Sequence, residues 1–88
     1  MQEAVWDGLK RAFAAAQATQ LEGDDAHEMR RFLAAVVSYE GVATPQECPT
    51  ATRPQDRARR LAKRKGWATY EDGYWRITDA GRAALRNL

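Results

Sequence analysis

Residues 52–78 read TRPQDRARRLAKRKGWATYEDGYWRIT, and the fold turns on how this stretch divides. Its first half is a helix. Thr52 stands at the N-cap, Pro54 falls in the first turn, where a missing N–H is tolerated, and Gly66 supplies the left-handed residue that ends the helix. Its second half is a hairpin. Asp72-Gly73 is a dipeptide preferred in two-residue type I′ turns, and that turn sets the register: Glu71 opposite Tyr74, Tyr70 opposite Trp75, Thr69 opposite Arg76 and Ala68 opposite Ile77. Opposed residues share a face. Ala68, Tyr70, Trp75 and Ile77 are therefore expected against the helices, and Thr69, Glu71, Tyr74 and Arg76 towards solvent or a partner.

The helical half carries the charge. From Arg53 to Lys65 there are seven cations and one anion, Asp56. Residues 1–52 hold four cations and eight anions, and residues 66–88 three of each, so the formal net charge of +2 over 88 residues hides a strong polarisation. At about 100° per residue, Pro54, Ala58, Leu61 and Ala62 fall on the core side. Thr52, Arg53, Asp56, Arg59, Arg60, Lys63 and Arg64 fall on the other. Like charges three or four residues apart (Arg53–Arg57, Arg57–Arg60, Arg59–Lys63, Arg60–Arg64) oppose helix formation, and one acid offsets little of it. A merely solvated helix would gain from interleaved Glu. A sorted basic face braced by a hairpin is the electrostatic footprint of a nucleic-acid reader.

Upstream, residues 2–21 are read as a helix, with Val5, Leu9, Ala12, Phe13, Ala16 and Gln20 at helical spacing and Trp6 widening the apolar stripe. Asp24 or Asp25 is expected to cap a second helix, Asp25 and Glu28 standing at capping-box spacing. That helix runs to about Tyr39, buries Met29, Phe32, Leu33, Val36 and Val37, and stops at Gly41. Thr44-Pro45-Gln46-Glu47 has N-cap and first-turn proline chemistry, and Pro49 limits this third helix to one or two turns. After the hairpin, Thr78 or Asp79 caps a last helix whose apolar residues are Ala80, Ala84, Leu85 and Leu88. The expected class is mostly α with a small β-hairpin, in one domain: N-terminal helix 1–22, helical core 24–66, hairpin 67–78 and C-terminal helix 79–88.

Size and composition exclude much. A chain this short buries only about 60–65% of its unfolded surface, enough for one thin core without an internal catalytic cavity. The longest apolar runs are far short of a membrane span. Acids at Glu3 and Asp7, with no apolar run after them, argue against a secretory leader, and a cytoplasmic protein is expected. The single cysteine, Cys48, excludes an internal disulfide and a cysteine zinc cluster. It reads more readily as a small core residue than as a redox sensor. His27, among Asp24, Asp25 and Glu28, reads as a solvated helix start and not as a metal ligand. No phosphate-cradling glycine loop or Ser/His/Asp set is visible, so no enzyme, metal or cofactor is expected.

In its order of elements the chain resembles bacterial winged helix-turn-helix domains of the broad MarR-like and PadR-like kind. The matching stretches are FLAAVVSYEGVATPQE (32–47), RARRLAKRKGW (57–67) and GYWRITDAGRAAL (73–85). The resemblance covers about residues 28–88 and implies that 44–48 is a positioning helix, 52–65 a recognition helix and 67–78 a wing, in the order α-α-α-α-hairpin-α. Two departures stand out. The wing tip, Glu71-Asp72-Gly73, is acidic where wings that touch DNA usually carry Arg or Lys. A long C-terminal dimerisation helix is also missing. Trp6, Leu9 and Phe13 either replace it in a homodimer or simply cover the core.

The expected function is therefore double-stranded DNA binding by a transcriptional regulator. The major groove, about 12 Å wide, admits a helix. Thr52, Arg53, Gln55, Asp56 and Arg59 are the candidates for base edges, with Asp56 either accepting from a cytosine amine or pairing with Arg59 or Arg60. Arg57, Arg60, Lys63, Arg64 and Arg76 are the candidates for phosphates, which position a protein without reading sequence. The alternative is a protein-interaction module, such as a phage-encoded inhibitor or adaptor. It would meet an acidic partner through the basic helix and the exposed aromatics Tyr74 and Trp67.

Overall fold

In the computed structural model, which describes residues 2–49 and 51–88 and side chains from Gly8 onward, the chain runs α1 (Gln2–Ala18), α2 (Gly23–Ser38), β1 (Val42–Ala43), a 3-10 turn (Pro45–Glu47), α3 (Arg53–Arg64), β2 (Ala68–Glu71), β3 (Tyr74–Ile77) and α4 (Asp79–Leu85). The described residues are mostly helical, with one small antiparallel sheet of strand order β1-β3-β2. No helix among them is long and apolar enough to cross a membrane.

The segment 44–48 is one 3-10 turn and not the expected third α-helix. Thr44 starts it, and its N–H and hydroxyl both donate to Glu47 Oε1 at 2.8 Å. Cys48, forced to extended backbone by the proline that follows, ends it (φ −105°, ψ 144°). Immediately before, Val42 and Ala43 form a strand too short to announce itself by alternation. They pair with Arg76 and Trp75 of β3, whose other edge carries β2.

The hairpin register is the one its turn requires: Ala68↔Ile77, Thr69↔Arg76, Tyr70↔Trp75 and Glu71↔Tyr74. Asp72 (φ 53°) and Gly73 (φ 82°) both take the left-handed conformation of a type I′ turn. The preceding helix ends in a Schellman motif. Gly66 has φ 73°, Trp67 N–H donates to Ala62 C=O at 2.9 Å and Gly66 N–H to Lys63 C=O at 3.2 Å. α2 ends in the same way, but there Glu40 (φ 62°) takes the left-handed position ahead of Gly41. At its other end α2 begins at Gly23 with Glu22 as an N-cap that makes no side-chain bond, so neither Asp24 nor Asp25 caps it.

Met29, Phe32, Leu33 and Val36 of α2 are fully buried with Trp67, and Phe32 meets Trp75 edge-on, ring centroids 5.2 Å apart. The expected first helix is present, but the larger apolar residues described in it do not pack inward. Its packing face is made of Ala14 and Ala18, while Leu9 and Phe13 are 58% and 65% exposed. Alanines let α1 lie close on α4, and the larger residues of the stripe are left outside. Leu9 and Phe13 therefore do not cover the core. Val5 and Trp6 lie outside the residues whose side chains are described. Trp67, expected as an exposed aromatic, is buried, because the Schellman turn folds it back under the helix it follows.

Candidate nucleic-acid interface

α3 is built for exposure on one side only. Ala58 and Ala62 are buried against the core, Pro54 and Leu61 half-buried, and the remaining positions are polar. Small alanines bring α3 close to α2 and keep the long cationic stems outside. Thr52 accepts the Gln55 N–H at 3.3 Å, and Gln55 Oε1 accepts the N–H groups of Ala51 (2.9 Å) and Thr52 (3.2 Å). This reciprocal cap satisfies donors that a helix start leaves bare. It also corrects the expectation for Gln55: its side chain is buried in the cap and does not face outward with Thr52 and Arg53.

Arg53, Arg57, Arg60, Lys63 and Arg64 are exposed, and Arg59 and Lys65 half-buried. Asp56 takes both Arg59 and Arg60, the latter through Nε at 3.1 Å, so the one acid of the ridge is engaged within its own helix. Arg57 Nη2 reaches Asp25 Oδ1 of α2 at 3.2 Å. The Arg57–Asp25 pair is exposed on both sides and the Arg60–Asp56 pair on the arginine side, and surface pairs of this kind are worth about 0–1 kcal/mol. Among the described residues, Arg53, Lys63, Arg64 and Arg76 make no ion pair. The acids of the first half thus restrain Arg57 and leave the rest of the ridge open.

Where α3 meets the hairpin there is a notch of about 380 Å³ lined by Pro45, Arg59, Arg60, Lys63, Tyr70 and Trp75. Tyr70 was expected to pack inward. It does lean on Trp75, centroids 5.1 Å apart, yet it is 42% exposed. Tyr70, in the second residue pair from the turn, lines the notch. Reading the register alone missed Tyr70 as a site residue; its place beside the turn was the available signal. Tyr74 and Arg76, on the outer face, are exposed as expected.

Cys48 lies within electrostatic reach of Arg59. His27 is exposed, Cys48 is a buried free thiol, and the described residues contain no group of three His, Cys, Asp or Glu able to hold a metal. Burial pushes the Cys48 thiol above its ordinary pKa. Glu47 adds to this, and Arg59 opposes it.

No protein family, curated protein or solved structure matches this chain.

Proposed function

We propose that the chain is a winged helix-turn-helix DNA-binding domain of a transcriptional regulator, with α3 as the helix that enters the major groove. The observation that carries this reading is the outward ridge of α3, where six cations meet one acid and Arg53, Lys63 and Arg64 have no ionic partner among the described residues. α2, the 3-10 turn and α3 take the part of the helix-turn-helix, and β2–β3 the part of the wing. Thr52, Arg53 and Arg59, near the start of α3, address base edges. Arg57, Arg60, Lys63 and Arg64 hold phosphates, and Arg76 reaches a phosphate from the wing. The notch beneath Tyr70 receives the backbone that runs between helix and wing. With Glu71 and Asp72 at its tip, the wing stays out of the minor groove.

The test is anisotropy titration of labelled duplexes, one random and one from the region upstream of the gene, at two salt concentrations. Lys63→Ala should weaken both duplexes alike and flatten the log–log salt slope by about 0.9. Arg53→Ala should instead erode the preference between duplexes, by about 1–3 kcal/mol if it holds a guanine edge. If no duplex binds in a salt-sensitive way, the reading is lost. The exposed Tyr74 beside an acidic tip would then favour a protein partner, although Trp67 cannot contribute to that surface.

A further inference from the structure

The notch between α3 and the hairpin has a make-up that phosphate contact alone does not use. Three elements wall it: the 3-10 turn through Pro45, α3 through Arg59, Arg60 and Lys63, and the hairpin through Tyr70 and Trp75. Its volume of about 380 Å³ stands at the small end of the roughly 300–1,000 Å³ usual for ligand sites. That is room for one flat ring system and its linkage, not for a double helix.

Tyr70 is exposed but not loose. Trp75 lies against it, centroids 5.1 Å apart, and Trp75 is itself buried and meets Phe32 of the core edge-on. A ring anchored through two further rings has little freedom left to lose when something stacks on it. Cations stand beside it. Lys63 makes no ion pair among the described residues, and the Arg60 side chain is 75% exposed, with Asp56 as its acid. An aromatic ring set among cations is the surface on which the bases of single strands stack.

We propose that the notch holds one unpaired nucleobase, stacked on Tyr70 with its flanking phosphates on Arg60 and Lys63. The protein then prefers duplex DNA that adjoins a single-stranded segment. In an intact duplex each base is covered on both faces by its neighbours and has no face to give. A phosphate alone would leave Tyr70 and Pro45 wet, and an uncharged ring would leave the cations unanswered. One nucleotide of a strand answers both. Arg60 and Lys63 also belong to the ridge of α3, so the strand that the ridge holds delivers the base to the notch. This contact rests on the DNA-binding reading and adds to it a preference indifferent to sequence, because every base has a π-face.

The experiment measures anisotropy on the full chain with a blunt duplex, the same duplex with a short single-stranded overhang, and that overhang made abasic. The abasic form keeps the phosphates and removes the bases. The overhang with bases should bind roughly tenfold tighter than the abasic one, the effect of one stacked base. Tyr70→Ala should bring the two overhangs level, and Tyr70→Phe, which keeps the ring, should preserve the difference. A 2-aminopurine in the overhang should lose fluorescence on binding the parent and Tyr70→Phe, but not Tyr70→Ala. Equal affinity for the two overhangs in the parent would overturn the proposal and leave duplex binding standing. So would a difference that survives Tyr70→Ala or is lost in Tyr70→Phe. Binding to the overhang without binding to the blunt duplex would keep the stacked base and remove the duplex reading, and binding to no probe would remove both.

Discussion

Gly81 packs so closely on the main chain of Trp67 that a β-carbon there would overlap the Trp67 carbonyl oxygen and stand 2.9 Å from Ile77 Cγ1. The same carbonyl accepts the Thr78 N–H at 3.1 Å, and the Thr78 hydroxyl donates to Gly66 C=O at 2.6 Å while accepting the Gly81 N–H at 3.0 Å. Thr78 and Gly81 therefore clasp the far end of the hairpin to the end of α3, and the angle between basic helix and hairpin depends on them. Gly81→Ala should cost about 3 kcal/mol, at the upper end for overpacking, because the obstructing atom is backbone. Thermal unfolding should show Tm falling by more than about 10 °C. Gly8→Ala, which meets nothing within 4 Å, should hold or raise Tm, since alanine is the better helix former by up to about 1 kcal/mol.

Asp56 is the one negative charge of the α3 ridge, held by Arg59 and Arg60. Asp56→Asn should free both guanidinium groups and remove repulsion towards phosphate. Affinity for duplexes of any sequence should rise severalfold, on the order of 1 kcal/mol for one charge at contact range in water. The helix loses an acid from its first turn, so stability should drop by about 0.3–1 kcal/mol. Anisotropy and denaturant titration on the same sample check both signs. A selective loss of affinity for one duplex would instead mean that Asp56 accepts a hydrogen bond from a cytosine amine.

Cys48 sets a pH dependence. The folded chain holds the thiol proton more tightly than the unfolded chain, mainly through burial and then through Glu47. Above the ordinary thiol pKa, roughly 8.5, the unfolded state therefore binds fewer protons than the native state. The stability this group contributes is complete below that pH and is lost as pH rises through the elevated native value. Denaturant midpoints should decline more steeply with alkaline pH in the parent than in Cys48→Ala. At neutral pH the native thiol should react with a disulfide reagent only as fast as the structure opens.

Leu9 and Phe13 stand on the outside of α1, so replacing them with polar residues should leave the fold intact. The double variant Leu9→Glu/Phe13→Glu should shift the unfolding free energy by no more than about 0.5 kcal/mol, as for surface sites generally. One domain on DNA buries only about 600–1,000 Å², and high specific affinity calls for two. If two copies pair through this face, sedimentation velocity should show the parent associating with concentration and the double variant remaining a monomer. A monomeric parent at all concentrations would remove the pairing.

Local chemistry carried most of the architecture. The hairpin register follows from Asp72-Gly73, both caps of the basic helix follow from Thr52 and Gly66, and the sorting of cations away from Ala58 and Ala62 follows from helical periodicity. Each of these is decided within a few residues, so it is written in the sequence. What the chain alone left open depends on which surfaces meet. Periodicity located the apolar stripe of α1 but could not say that Ala14 and Ala18 would be chosen for close approach and Leu9 and Phe13 left outside. It could not foresee Gln55 turned into a cap, Trp67 folded under α3, Tyr70 opened onto a notch, or β1 recruited by the free edge of β3. Burial is a property of neighbours distant in the chain, and those neighbours are assigned only when helices and sheet settle against one another.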